Sequence, residues 1–150
     1  MNTSVDQQHM QRALELAAKG KGRTSPNPMV GCVIVRDGQV IAEEYHKRAG
    51  EPHAEILAIE AAGGDVQGAT IYLNLEPCTH QGRTPPCVDV LLEKHPARVV
   101  VGMSDPNPKV SGEGIYRLRE AGIDVDVGVL EEEALKLNEV FIKYITTAMP

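Results

Sequence analysis

The sequence predicts an α/β fold, a three-layer α/β/α sandwich around a mixed, mostly five-stranded sheet. Two observations carry this. Short β-branched apolar runs alternate along the chain with segments of helical spacing. The first two runs are separated only by Asp37-Gly38, the strongest short hairpin signal. An opening hairpin followed by strand–helix alternation means a mixed sheet covered by helices on both faces.

The elements follow in order. Val5 to Lys19 has helical spacing, with Met10, Ala13, Leu14, Ala17 and Ala18 on one stripe, and Gly20 and Gly22 end it. Thr24-Ser25-Pro26-Asn27-Pro28 cannot be regular, because two prolines bracket a turn-forming Asn. Val30 to Val35 is a strand, and Val40-Ile41 resumes after the Asp-Gly turn. His53 to Ala62 reads as a helix with Ile56, Leu57 and Ile59 behind it, closed by Gly63-Gly64. Ala69 to Leu75 is a strand. Thr84 as N-cap and Pro85 in the first turn start a helix running to about Lys94, with Cys87 near its beginning. Arg98 to Gly102 is a strand, and Asp105-Pro106-Asn107-Pro108 is a second proline-bracketed loop. A helix over Gly114–Ala121, a strand over Ile123–Val127 and a helix from Glu131 to about Thr147 complete the chain.

A chain of 150 residues suits one compact domain. It can bury about two thirds of its unfolded surface without disulfide staples. With four Tyr, one Phe and no Trp, the core must come from Val, Ile, Leu and Ala. The net charge of −6, with Glu131-Glu132-Glu133 the only dense run, argues against a nucleic-acid partner, whose phosphates ask for Lys and Arg. One substrate phosphate needs only one or two local cations. Three cysteines, a polar Met1–His9 segment and no apolar stretch near ~20 residues point to a cytoplasmic protein without a membrane span.

Three of the residues are suited to a metal. His53 lies in Pro52-His53-Ala54-Glu55, Cys78 in Glu76-Pro77-Cys78 and Cys87 in Pro85-Pro86-Cys87. Imidazole and thiolate are the ligands zinc prefers, and three protein ligands leave a fourth position for a water or hydroxide. One zinc ion per chain is expected. Cys32 lies inside an apolar strand run and suits a small buried hydrophobe better than a ligand. Helix N-termini at His53 and Cys87 favour the thiolate form of nearby cysteines. Glu55 is placed to take a proton from the zinc water, provided His53 stands at the helix entry, since residues two apart do not share a helix face. This is the chemistry of a hydrolytic deaminase acting on a nucleobase-like ring. His80 reads as a loop residue or a support for the ligands, while His9 and His95 read as solvated.

The chain resembles the cytidine-deaminase-like superfamily and, within it, the deaminase of riboflavin biosynthesis. The superfamily pattern is His-x-Glu followed by Pro-Cys-x-x-Cys. Here eight residues separate Cys78 from Cys87, and that insert is the mark of the riboflavin branch: Leu75-Glu76-Pro77-Cys78-Thr79-His80-Gln81-Gly82-Arg83-Thr84-Pro85-Pro86-Cys87 matches it throughout. Pro26-Asn27-Pro28-Met29-Val30-Gly31, Gly50-Glu51-Pro52-His53-Ala54-Glu55 and Asp105-Pro106-Asn107-Pro108 with Gly112 and Gly114 are similar to that branch too.

The resemblance implies zinc-dependent removal of the 2-amino group from 2,5-diamino-6-ribosylamino-4(3H)-pyrimidinone 5′-phosphate, giving the uracil derivative and ammonia. It implies His53, Cys78 and Cys87 as zinc ligands, Glu55 as acid and base, and Asn27, His46, Arg83, Asp105 and Asn107 along the substrate site. It implies a small phosphorylated pyrimidine as partner and a homo-oligomer, dimer or tetramer. Many bacterial members continue into an NADPH-dependent reductase domain. The chain ends at Met149-Pro150, near where that domain would begin, so it is either a stand-alone deaminase or a piece cut at the domain boundary, and in both cases a deaminase domain over 1–150 without reductase activity is expected. Two other readings remain open: a deaminase of the superfamily acting on another base or nucleotide, and a non-catalytic domain braced by zinc, with His80 or Cys32 as fourth ligand.

Overall fold

The computed structural model describes residues 4–24, 27–79, 86–108, 111–139 and 142–143. The hairpin forms where Asp37-Gly38 requires it. Strands β1 (Gly31–Arg36) and β2 (Gln39–Tyr45) pair antiparallel around Asp37 and Gly38 at φ 53° and 76°. Two successive positive φ values are the geometry of a two-residue turn whose twist matches the strands it joins. A register irregularity follows between Ile34 and Val35. β1 also pairs antiparallel with β3 (Thr70–Leu73), which runs parallel to β4 (Arg98–Val101), itself parallel to β5 (Asp124–Val127). The order is β2-β1-β3-β4-β5, so the sheet is mixed and five-stranded as expected.

Strand side chains alternate between faces, and each set finds its own helices. Cys32, Ile34, Ile71, Leu73, Val99 and Val101 pack with Ala58 and Ile59 of α2 (Ala54–Ala61), Val88 and Leu91 of α3 (Cys87–Lys94) and Leu118 of α4 (Glu113–Glu120). Val33, Val35, Tyr72 and Val100 pack on the other face with Met10, Ala13 and Leu14 of α1 (Ser4–Ala18) and Ala134 of α5 (Glu131–Leu137). Each large aliphatic side chain so buried contributes about 1.5–3 kcal/mol. α1 lies so close to β1 that a Cβ at Gly31 would stand 2.0 Å from the Ala13 carbonyl oxygen, a contact only glycine avoids.

One buried charge cluster fastens α1 to the sheet. Asp6 accepts hydrogen bonds from the Tyr72 hydroxyl at 2.7 Å and from both terminal nitrogens of Arg98 at 2.9 and 2.8 Å. Arg98 Nε also donates to Asp126 at 2.9 Å, joining β4 to β5. Burial, then Asp6, pushes the Tyr72 phenol well above its ordinary value.

The elements depart from expectation at four places. On α1, Leu16 is buried and Ala18 exposed. α3 begins at Cys87 with Pro86 in the cap position at φ −56°, while Thr84 and Pro85 lie outside the described residues. α5 spans Glu131–Leu137 and turns at Asn138, whose side-chain amide bonds the backbone of Met29, and helical residues follow at Glu139 and at 142–143. The end expected near Thr147 lies outside the described residues. His9 is half-buried, its ring 5.0 Å from that of Tyr72, whereas His95 is exposed as expected. Among the described residues no helix is long and apolar enough to cross a membrane.

Candidate metal centre and active site

The site forms where two helices start beside the exit of β3. His53 has extended backbone, φ −72° and ψ 163°, and its carbonyl accepts the first helical bond, from Leu57 at 3.2 Å. It is therefore the N-cap of α2, and Glu55 is the second helical residue. This is the helix entry that the His-x-Glu spacing demanded. Cys87 is the first residue of α3, and Cys78 lies in the loop after β3. The backbone ties the two thiols together: Cys87 N donates to Cys78 Sγ at 3.2 Å, and Val88 N to the Cys78 carbonyl at 3.1 Å.

His53 Nδ1, Cys78 Sγ and Cys87 Sγ all lie within 4.8 Å of one another. His53 Nδ1 is 3.1 Å from Cys87 Sγ and 3.9 Å from Cys78 Sγ. One imidazole and two thiols converging on one point are a donor set that suits zinc. Cys32 stays out of it, wholly buried between Glu44 of β2 and Leu73 of β3, its thiol pushed up by burial.

The two thiols stand close enough to share one proton. The hydrogen bond with the Cys87 thiol, helped by His53 and the Cys87 amide against burial, brings Cys78 down to about 4. The same bond and burial push Cys87 up. The helix start thus does not favour both thiolates alike, since the first negative charge opposes the second. His53 is raised by its partner Cys78. Glu55 is only 3% exposed, and burial raises its carboxyl above the usual range, against its own amide and His53. A carboxyl so placed holds and releases a proton nearer neutral pH than a solvated one.

The model of the cytidine and deoxycytidylate deaminase zinc-binding region matches residues 3–103. The chain belongs to this zinc-binding deaminase family, in its riboflavin-biosynthesis branch. The diaminohydroxyphosphoribosylamino-pyrimidine deaminase of Buchnera aphidicola is 46% identical over 145 residues, covering 97% of this chain and 99% of that one. The riboflavin biosynthesis protein RibD of Escherichia coli is 55% identical over 145 residues, 97% of this chain. The chain spans 40% of that relative's length. The solved structure of Acinetobacter baumannii RibD, form 2, superposes with a TM-score of 0.93 at 52% identity, covering 97% of this chain and 41% of that one. The metal of this deaminase family is zinc, and the three converging donors accommodate one ion.

The residues beyond the donors fall into place unevenly. His46 is 2% exposed, its ring edge-on to His53 with centroids 5.0 Å apart. Its Nδ1 donates to the Pro52 carbonyl at 3.2 Å, and Nε2 finds no hydrogen-bond partner among the described residues. Burial lowers its basicity, which keeps the ring neutral. Asp105 and Asn107 are half-buried, and the Asp105 carboxylate accepts from the Asn107 amide at 2.9 Å. Asn27 is half-buried in the first proline loop, where its carbonyl accepts from Thr24 Oγ1. Arg83 and His80 lie outside the described residues.

Sequence reasoning missed the side chains that hold these loops. Asn74 is fully buried, accepts from Gly31 N at 2.8 Å and donates to the Met29 carbonyl at 3.0 Å. Asn138 accepts from Met29 N at 2.7 Å and donates to the same carbonyl at 2.8 Å. Met29, two residues after Asn27, is therefore gripped from both sides. The available signal was an Asn in a helical pattern, since its amide competes for backbone groups.

Proposed function

We propose that the chain catalyses hydrolytic deamination of 2,5-diamino-6-ribosylamino-4(3H)-pyrimidinone 5′-phosphate, yielding 5-amino-6-ribosylamino-uracil 5′-phosphate and ammonia. The observation that carries this is Glu55, buried two residues after His53 at the entry of α2, beside a converging His/Cys/Cys donor set. The activity for which the Buchnera relative is named, matched over nearly its whole length, supports the substrate.

His53, Cys78 and Cys87 would hold the zinc. Zinc held by such ligands acts as a Lewis acid that makes water nucleophilic near neutral pH. Glu55 accepts a proton as water attacks the ring carbon bearing the 2-amino group, and passes it to the adjacent ring nitrogen. The carbon–nitrogen bond then breaks, a second proton moves through Glu55 to the departing nitrogen, and the former water oxygen becomes the carbonyl of the product. A carboxyl kept from solvent suits both transfers, because water does not compete for its proton.

Asn27, His46, Arg83, Asp105 and Asn107 line the heterocycle and its phosphate in this reading. His46 Nε2 is a ready acceptor for a substrate donor, and Asn amides offer donor and acceptor together. Arg83 would meet a carbonyl oxygen or the phosphate. The test is ammonia release from the ribotide by the zinc-quantified protein, beside Glu55→Gln. Release by the wild type alone, with one zinc per chain, is expected. Turnover of cytidine, guanine or dCMP in place of the ribotide would reassign the substrate within the family, and full activity in Glu55→Gln would overturn the mechanism.

A further inference from the structure

Glu76 belongs to the Glu-Pro-Cys motif and has no part in the chemistry above. Its side chain is buried, 4% exposed, and it is surrounded by backbone amides. Oε1 accepts from Asp105 N at 2.7 Å and Gly112 N at 3.0 Å. Oε2 accepts from Gly114 N at 2.8 Å and Ile115 N at 3.4 Å. Its own amide donates to the Met103 carbonyl at 2.9 Å.

A carboxylate that merely capped α4 would need only the amides of that helix's first turn. Oε2 does this, and Oε1 takes the amide of the N-cap residue Gly112. The bond from Asp105 N to Oε1 goes beyond capping: it joins residue 105 to residue 112, the two ends of the loop that carries Asp105 and Asn107. Inside that loop the backbone amide of Asn107 donates to Asp105 Oδ1 at 2.9 Å, and its carbonyl accepts from Ser111 N at 2.9 Å. Two residues beyond Glu76 along the chain stands Cys78. Gly114 seals the joint, since a Cβ there would stand 2.9 Å from the Pro77 carbonyl oxygen and 3.2 Å from Glu76 Oε2.

We infer that Glu76 is a positioning residue: it sets the Asp105–Asn107 loop in register with the Cys78 loop, and so fixes where the heterocycle lies relative to the reacting water. The inference rests on the deaminase reading for its substrate. A neutral amide in place of the carboxylate has only one acceptor oxygen and turns an NH2 toward backbone donors. Either the loop ends or the helix start must then part.

The experiment is steady-state kinetics of zinc-loaded Glu76→Gln on the ribotide, with amide hydrogen exchange over residues 105–115. Expected are a KM raised about tenfold, a kcat within about threefold of wild type, one zinc retained and faster exchange at Asp105 and Gly112. An unchanged KM with unchanged exchange overturns the inference, and so does a loss confined to kcat and zinc content. If Glu76→Gln does not fold, Gly114→Ala decides. Alanine favours the helix yet pushes the joint apart, so a raised KM in a stable variant supports the inference and an unchanged KM overturns it. If the wild type releases no ammonia, the reaction reading fails, and exchange at Asp105 and Gly112 alone then judges the positioning role.

Discussion

Two groups of buried polar side chains sit on opposite faces of one sheet and are satisfied to different degrees. On the α1 face, Asp6 is held by Tyr72 and Arg98, and Arg98 also by Asp126, so each charge meets an opposite one. On the α2 and α3 face, the two thiols are held together with one favoured as thiolate, Glu55 is buried with a raised carboxyl, and His46 Nε2 lacks a partner among the described residues. Paired buried charges fasten elements together. Buried groups left short of partners, or forced to share, are poised for a ligand or a proton. The first cluster is a clasp, and the second is the candidate site.

The contrast can be broken in stages. Chelating the zinc should abolish deamination and also lower the melting temperature by ~5 °C or more, since the donors join two helix starts and a loop. Re-addition of zinc should restore both, and a chelated protein that stays active would remove the metal from the account. Glu55→Gln should cost ~10³-fold in kcat with zinc content unchanged, as measured by metal analysis beside turnover. Arg98→Ala should act the other way round. It removes the Arg98 guanidinium from Asp6, 2% exposed, and should cost about 3 kcal/mol in denaturant unfolding, with kcat per folded molecule retained. A large kcat loss in that variant would mean that the two faces are coupled.

Asn138→Ala sharpens the comparison, because α5 belongs to the clasp's face while Asn138 holds a loop of the site. The loss of two bonds to Met29 should cost about 1–2 kcal/mol and raise KM more than it lowers kcat. The smallest effect is expected from Tyr72→Phe, about 1 kcal/mol from the lost bond to Asp6. Its pH dependence carries a sign. The folded phenol titrates above its ordinary value of 10.0, so the stability tied to its neutral form is whole below pH 10 and drains away as pH rises beyond it. Unfolding curves collected above pH 10 should therefore fall more steeply for the wild type than for the Phe variant.

Much of the site was legible because its chemistry is local. His53 and Glu55 needed only the inference that a helix starts between them, and Pro52 before them with Gly63-Gly64 after them marked that helix. Cys87 at a helix start came from the same kind of reasoning, although the cap proved to be Pro86. The hairpin was readable because Asp-Gly adopts positive φ cheaply, as its observed angles show. Glu76 was visible as a letter in a motif but not as a function, because its four bonds go to backbone amides between residues 105 and 115. A backbone amide carries no residue identity, so no pattern of side chains announces such a partner. The same holds for Asn74 and Asn138 on Met29.

Taken by itself, the sequence determined the layers, the order of strands and helices, the donor types for zinc and the carboxyl proposed to move protons, since periodicity, turn chemistry and ligand chemistry are properties of neighbouring residues. Only the tertiary structure decided that the Cys78 and Cys87 thiols face each other beside His53, that Tyr72, Arg98 and Asp126 share the clasp with Asp6, and that Glu76 and Asn138 hold the loops of Asp105 and Met29. Those outcomes depend on distances of about 3 Å between groups as far as 109 residues apart, and burial and packing alone set such distances.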